Sequence, residues 1–300
     1  MRFGLMDMQL GLLMQGMAGS ADIAAQAALF DHAALVRHIE KAGFSLVELS
    51  GDLRLFFPGA FSLSAVADLQ QLKQDEQMAF TVHLPLWSVE PSTLLTPVRT
   101  GSVQALVETI RATLPLEPEM YVLHATGPLA AEFSQMRLPA EVKPILLRQF
   151  QQRAAESIKT ILGETGIPPR QLAVETIEFP FDLTLELADK LDTSICLDVG
   201  HILAGFSGPV TLQEALPMVL PRLGEVHLHD SAWQGPQQIR QYGKDHQALG
   251  TGDLDAVWLL DRLAEVNFCG PIILELTEQQ ALESLAYLSE KCPDYLTEEL

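Results

Sequence analysis

The 300-residue chain is short of several things, and each shortage excludes a class of protein. It has three cysteines, Cys196, Cys269 and Cys292, and no Cys-x-x-Cys pair. So few thiols make neither a disulfide scaffold nor a thiolate metal module, and they fit a reducing, cytoplasmic setting. It has 19 Lys and Arg against 39 Asp and Glu, a formal net charge of −20. A chain this poor in cations does not grip a polyphosphate surface by global attraction, so no nucleic-acid partner is expected. No apolar run reaches the roughly 18 residues of a membrane span, so no membrane partner is expected either. The first residues carry a single basic side chain, Arg2, and Asp7 interrupts the apolar stretch early, which counts against a secretory leader. No Gly-x-Gly-x-x-Gly follows the first strand, which weakens a dinucleotide site.

What the chain does have is a normal core-forming share of apolar residues, 48%, which excludes intrinsic disorder. Apolar runs and helical spacings alternate along its length. Strands are expected at Arg2–Asp7, Ser45–Leu49, Ala79–Leu84, Met120–His124, Gln171–Thr176, Ser194–Asp198, Glu225–Asp230 and Pro271–Leu276. Helices are expected at Asp31–Ala42, Ser62–Gln74, Val98–Thr113, Ala140 to Leu162, Asp182–Lys190, Leu212–Leu220, Leu254–Val266 and Glu278–Glu290. Eight strand–helix units imply a parallel sheet, and in a chain of this length they imply a single-domain α/β fold, a (β/α)8 TIM barrel over residues 1–300. An apolar insertion follows the first strand, at about residues 8–30.

A barrel carries its chemistry at the C-terminal ends of its strands. Six of the eight histidines fall there or in the following loops: His83, His124, His201, His227, His229 and His246. Glu175, Asp198 and Glu275 end strands five, six and eight. His32 and His38 lie on the first helix, where packing or solvation explains them. Any one strand-end histidine is readily structural. The combination is different, because a ring of carboxylates repels itself unless neutral imidazoles and cations are interleaved. That mixture is the donor chemistry of a Zn, Mn or Fe site. Asp198 and His201 stand three apart at a strand-to-loop turn, and His227 and His229 share one face of a strand.

With these residues in order, the chain resembles the xylose-isomerase-like barrel superfamily, which includes endonuclease IV-type phosphodiesterases and sugar isomerases and epimerases. The likeness runs from the RFGL of the first strand to the ILEL of the last. In the isomerase branch one metal is held by two Glu, an Asp and a His, which here match Glu175, Asp198, His227 and Glu275. In the endonuclease IV branch nine residues hold three metals. Eight have matches: His83, His124, Glu175, Asp198, His201, His227, His246 and Glu275. The ninth position, an Asp two residues before the second loop histidine, is Lys244 here. The resemblance therefore implies two divalent ions (Zn, Mn, Fe or Co), with the third site in doubt. Lys244 is then free to meet a substrate phosphate, or else simply to pair with Asp245. His83 and His124 have no role in a plain isomerase and favour phosphoester hydrolysis, with Glu175 and Glu275 as catalytic carboxylates.

The loops expected on the active face are apolar rather than basic. Met14 and Met17, then Phe56, Phe57 and Phe61, then Trp87 follow the first three strands. They either line an adaptable pocket or pack on one another as a lid. As pocket walls, with His229 beside them, they imply a bulky, partly apolar small-molecule substrate. Cobamide-remodelling phosphodiesterases are a branch of this superfamily that fits that description. His229 and Asp230 have no firm match, and orientation of a ligand is the modest reading of His229. Asp253 is the expected N-cap of the seventh helix, after a Gly250–Gly252 turn that could also hold an anion.

Overall fold

In the computed structural model, which describes residues 1–9, 11, 13, 30–233 and 245–296, eight parallel strands close into one barrel in chain order. The strands are β1 (Arg2–Met6), β2 (Leu46–Ser50), β3 (Ala79–His83), β4 (Tyr121–Leu123), β5 (Leu172–Glu175), β6 (Ser194–Asp198), β7 (Leu223–His227) and β8 (Pro271–Leu274). β1 pairs with both β2 and β8, which completes the ring. The outer helices are α1 (His32–Lys41), α2 (Leu63–Asp75), α3 (Thr96–Thr113), α4 (Val142–Thr165), α5 (Phe181–Leu191), α6 (Leu212–Val219), α7 (Ala256–Glu265) and α8 (Glu278–Lys291). The fold is thus a (β/α)8 barrel in a single domain. Most of the expected insertion, with Met14 and Met17, lies outside the described residues, as does Lys244.

The strand period of two divides the molecule into two cores. Residues pointing outward, among them Val47, Leu49, Phe80, Val82, Tyr121, Leu123, Val174 and Leu197, pack under the helices in one large apolar cluster. Inward-pointing residues are a different population. Small apolar clusters survive there, Met120–Val122–Ala173–Cys196 and Met6–Leu46–Ile273. The rest is polar. Strand register sets the layers: Glu48 stands opposite Thr81, Ser50 opposite His83, Cys196 opposite Glu225, and Asp198 opposite His227.

Capping fixes the helix starts. Asp31, Ser62 and Thr277 accept hydrogen bonds from Ala34, Ala65 and Gln280 backbone N–H groups. For α7 the cap is Asp255, which accepts from Trp258 N, rather than the expected Asp253; Asp253 instead accepts from Trp233 N and ties two loops together. β7 ends at His227, three residues early. Beyond it Asp230 leaves the ladder and pairs antiparallel with Gln247. Three short helices sit in segments between the expected elements: Leu53–Phe56, Pro128–Gln135 and Val199–Leu203. Among the described residues no helix is long and apolar enough to cross a membrane.

Candidate metal centre

Each strand end delivers one side chain to the mouth of the barrel. Glu175, at the end of β5, is the hub and is 1% exposed. Its Oε2 faces His83 Nε2 at 3.1 Å and His124 Nε2 at 2.8 Å. Its Oε1 faces His227 Nδ1 at 3.5 Å and His201 Nδ1 at 3.6 Å. The two oxygens of one carboxylate therefore look into two adjoining clusters. One is His83, His124 and Glu175; the other is Glu175, Asp198, His227 and Glu275. Glu275 Oε2 in turn lies between His227 Nδ1, at 3.2 Å, and His246 Nε2, at 3.4 Å.

These atoms fit divalent ions on their own chemistry. Glu175 Oε1, Glu275 Oε2 and both ring nitrogens of His227 are buried with no hydrogen-bond partner among the described residues. Buried polar atoms left in that condition cost free energy that a shared cation removes. Oxygen and imidazole donors in this mixture suit Zn, Mn, Fe or Co.

A third group forms around the loop after β7. Asp245 Oδ2 lies 3.0 Å from His246 Nδ1 and 3.7 Å from His201 Nε2. The acid that the resemblance places at position 244 is thus offered by the next residue, Asp245. His246 has a backbone φ of 55°, in the left-handed region. An acid thus stands beside His201 and His246, although the group of these histidines whose donor atoms converge is completed by Asp198 and His229.

His229 is buried at 0% exposure and does not face the cavity. Its Nδ1 accepts from His246 N at 2.9 Å, so its Nε2 carries the proton and donates to Asp198 at 3.0 Å. The expectation that it touches substrate is corrected by this pairing; it fixes the orientation of Asp198 and stacks on His246 at 4.1 Å. The Asp-Val-Gly-His turn is built around it. A Cβ on Gly200 would overlap the His229 ring at Cε1 and Nδ1. Gly200→Ala should therefore displace the ring and lower stability by roughly 2–4 kcal/mol. A thermal melt and a zinc titration check this, and a wild-type result in both would refute it.

The glycines at 250 and 252 do hold an anion, and it is the protein's own Asp230. Its Oδ2 accepts from Gly250 N and Gly252 N, both at 2.9 Å, and its Oδ1 from Ser231 N and Leu254 N at 2.8 and 3.0 Å. Four backbone donors on one carboxylate anchor the far side of the segment that carries Asp245 and His246.

The cavity above the cluster measures about 630 Å³. His83, His124, His201, His246, Asp245 and Glu275 form its floor, and Met6, Met8, Leu86, Trp87, Ile177 and Phe206 are among its apolar walls. Trp87 stands at its rim, half exposed, with Phe56 edge-on at 6.0 Å. Phe57 does not line it. It is buried and stacked on Phe30 at 4.2 Å, while Phe61 meets the His32 ring. The assignment of Phe57 to substrate is corrected: two of the three phenylalanines pack as a lid core. His32 also bonds to Asp7 Oδ2 at 2.6 Å and Ala60 O at 2.9 Å, and His38 pairs with Glu278 at 2.7 Å.

Charge in the metal-free protein is distributed by this crowd of acids. Burial alone would pull the imidazolium pKa of His83 down, but Glu175, Glu48 and Glu275 outweigh it and hold it up at about 9. His246 is likewise lifted to about 11 against its burial by Asp245 and Glu275. Burial would raise Asp245, yet His246 and His201 hold it down at about 2. Glu175 and Glu275 are kept well below the usual carboxylate range by their histidines, again against burial. A histidine raised above its unfolded value near 6.5 contributes stability in full below that pH and loses it as pH climbs through the folded value. The metal-free protein should therefore melt about 5 °C lower at pH 9 than at pH 6.5. Metal affinity should move the other way, rising roughly tenfold per pH unit as the His83 proton is displaced. Calorimetric melts with and without zinc check both signs; parallel pH trends in the two forms would contradict the argument.

The chain belongs to the xylose isomerase-like TIM barrel family, whose model matches residues 36–291. Among curated proteins it is 23% identical to MJ1311 of Methanocaldococcus jannaschii over 69% of this chain and 67% of that one. It is 32% identical to a probable endonuclease 4 of Mycobacterium leprae, over 37% of this chain and 43% of the relative. Among solved structures, a D-tagatose 3-epimerase-like protein superposes with a TM-score of 0.70 at 18% identity, covering 98% of each chain. The Escherichia coli 3-keto-D-glucoside 4-epimerase YcjR gives 0.65 at 16% identity, covering 97% of this chain and 100% of that one. These structural likenesses concern the fold.

Proposed function

We propose that the protein is a metal-dependent hydrolase of a phosphodiester in a small, bulky, partly apolar molecule. The observation that carries this reading is the meeting of His83 and His124 on Glu175 Oε2, beside the separate set of Glu175, Asp198, His227 and Glu275. Two clusters sharing one carboxylate suit a displacement in which attacking and leaving oxygens are both held. When bound, two divalent ions would supply an acidified water and neutralise charge on the phosphoryl oxygens. The chain's own residues bind and orient. Glu175 and Asp198 hold the two subsites at a fixed separation. Glu275, partly open to the cavity, is placed to take the proton of the attacking water. Lys244, Met14 and Met17, expected from the sequence to meet the substrate, lie outside the described residues.

The probable endonuclease 4 relatives support phosphoester chemistry, while the net charge of −20 and the apolar walls disfavour a DNA duplex as the substrate. A corrinoid with its nucleotide loop has an apolar body and one phosphodiester. It exceeds a cavity of about 630 Å³, so the phosphodiester enters and the macrocycle rests against Trp87 and Phe56 at the rim. Cobamide nucleotide-loop hydrolysis is therefore the sharpest form of the proposal. The test is to incubate the protein, loaded in turn with zinc, manganese, iron or cobalt, with a cobamide under reducing conditions. Release of the lower-ligand nucleoside, with the phosphate left on the corrinoid side, or of its nucleotide is expected, and no release with any of the metals would overturn the substrate assignment.

A second reading follows from the epimerase neighbours. With one metal on Glu175, Asp198, His227 and Glu275, the two glutamates would shuttle a proton beside a sugar ketone. Near one equivalent of metal favours epimerisation, and two tightly held equivalents favour hydrolysis.

A further inference from the structure

Beneath the metal cluster the barrel interior holds a second polar layer that the proposed reaction does not use. Glu48 of β2, Thr81 of β3 and Glu225 of β7 are all 0% exposed. Thr81 Oγ1 lies 3.2 Å from Glu225 Oε1 and 3.4 Å from Glu48 Oε2. Apolar side chains at a similar depth, Met120, Val122 and Ala173, show what a barrel floor made without this expense looks like. Two carboxyl groups and a hydroxyl in such a place carry a desolvation cost that some contact must offset.

The contact is His227, which stands between the two layers. Its Nδ1 faces up to Glu275, Glu175 and Asp198 at 3.2, 3.5 and 3.8 Å. Its Nε2 faces down, 3.3 Å from Glu48 Oε1 and 3.9 Å from Glu225 Oε1. Glu48 Oε1 and His227 Nε2 are both buried and neither has a hydrogen-bond partner among the described residues, so the 3.3 Å between them is the contact open to both. The Cys196 thiol also lies inside the barrel near the ring, but sulfur is a weak hydrogen-bond acceptor. Among the described residues below the ring, Glu48 offers the nearer carboxyl oxygen, 3.3 Å from Nε2 against 3.9 Å for Glu225.

We propose that Glu48 is a positioning residue for His227: its Oε1 accepts the Nε2–H and so presents Nδ1 to Glu175, Asp198 and Glu275, while Thr81 and Glu225 hold Glu48 in place. A carboxylate behind a metal-bound imidazole fixes both its tautomer and its basicity, and losing such a partner costs about 10–100-fold in metal affinity. The inference rests on the reading of His227 as a metal ligand.

The test is a zinc competition titration against a chelator, at a temperature well below the melt, on the full-length protein and four variants. Glu48→Gln should weaken zinc binding about tenfold or more, and Glu225→Gln should weaken it less, since its oxygen lies farther from the ring. Cys196→Ala should stay within about threefold of wild type. His227→Ala serves as the reference. If it leaves zinc binding unchanged, the metal-site reading fails; if it abolishes one equivalent while Glu48→Gln binds like wild type, the positioning role alone fails. A purely structural Glu48 would lower the melting temperature without moving the affinity. Should Glu48→Gln not fold, long-range nitrogen-correlated NMR of the zinc-loaded wild type decides. A proton on His227 Nε2 with zinc at Nδ1 is expected, and the reverse arrangement would overturn the proposal.

Discussion

Glu175→Gln should lower the metal content of the purified protein from two equivalents to one or fewer and reduce phosphodiester hydrolysis by roughly 10³-fold or more. The size of the effect follows from the hub position. Both oxygens of Glu175 are committed, one to His83 and His124 and the other to His227 and His201. An amide offers one neutral acceptor and turns an N–H donor on the other side, so it opposes a cation in one cluster or the other. The same substitution removes the charge that burial has the hardest time accommodating. His83 should then titrate below about 9 in the metal-free variant, because Glu175 is the foremost of the groups that hold it up. Elemental analysis, a steady-state assay and an NMR titration of His83 read the three consequences separately. Unchanged metal content would take Glu175 out of the site.

The parts of this arrangement that the sequence disclosed are those that end a strand. Glu175, Asp198 and Glu275 each follow an apolar run, as His83 does but for Thr81, and a polar residue there has one place to go in a barrel. His201 followed from the turn after Asp198. Glu48 and Glu225 were invisible for the opposite reason: each sits within a strand, where a lone acid reads as an outward, solvated position. Only the period-two phase set by His227 shows that Glu225 points inward, and only register shows Glu48 across from Thr81. Asp245 was passed over because the family spacing looks for the acid at position 244, while the Asp245 carboxyl is the one that lies against His246 and His201. Phe56 and Phe57 are adjacent and chemically identical, yet one turn of helix at Leu53–Phe56 sends the first to the rim and the second under the lid. Helix ends in the sequence do not separate Asp253 from Asp255 as cap, because the choice depends on where Trp233 places its N–H.

His124→Ala should separate the two functional readings. His124 belongs to the His83–His124–Glu175 cluster and to neither of the groups containing Asp198. It follows the last residue of β4 and its side chain is 15% exposed, so truncation opens space toward the cavity and leaves the packed core intact. The melting temperature should move by no more than about 2 °C. One metal equivalent should be lost and the other, on Glu175, Asp198, His227 and Glu275, retained. If catalysis is a two-centre displacement, hydrolysis should fall by roughly 10²–10³-fold, because one of the two oxygens of the displacement loses its clamp. A single-centre epimerase needs only the retained set, and its rate on a ketose should survive the substitution within about threefold. Loss of hydrolysis together with loss of one metal supports the dinuclear assignment. Retention of full activity with one metal would move the protein to the epimerase side of its family, with His124 left as a packing neighbour of His83, their rings 5.1 Å apart.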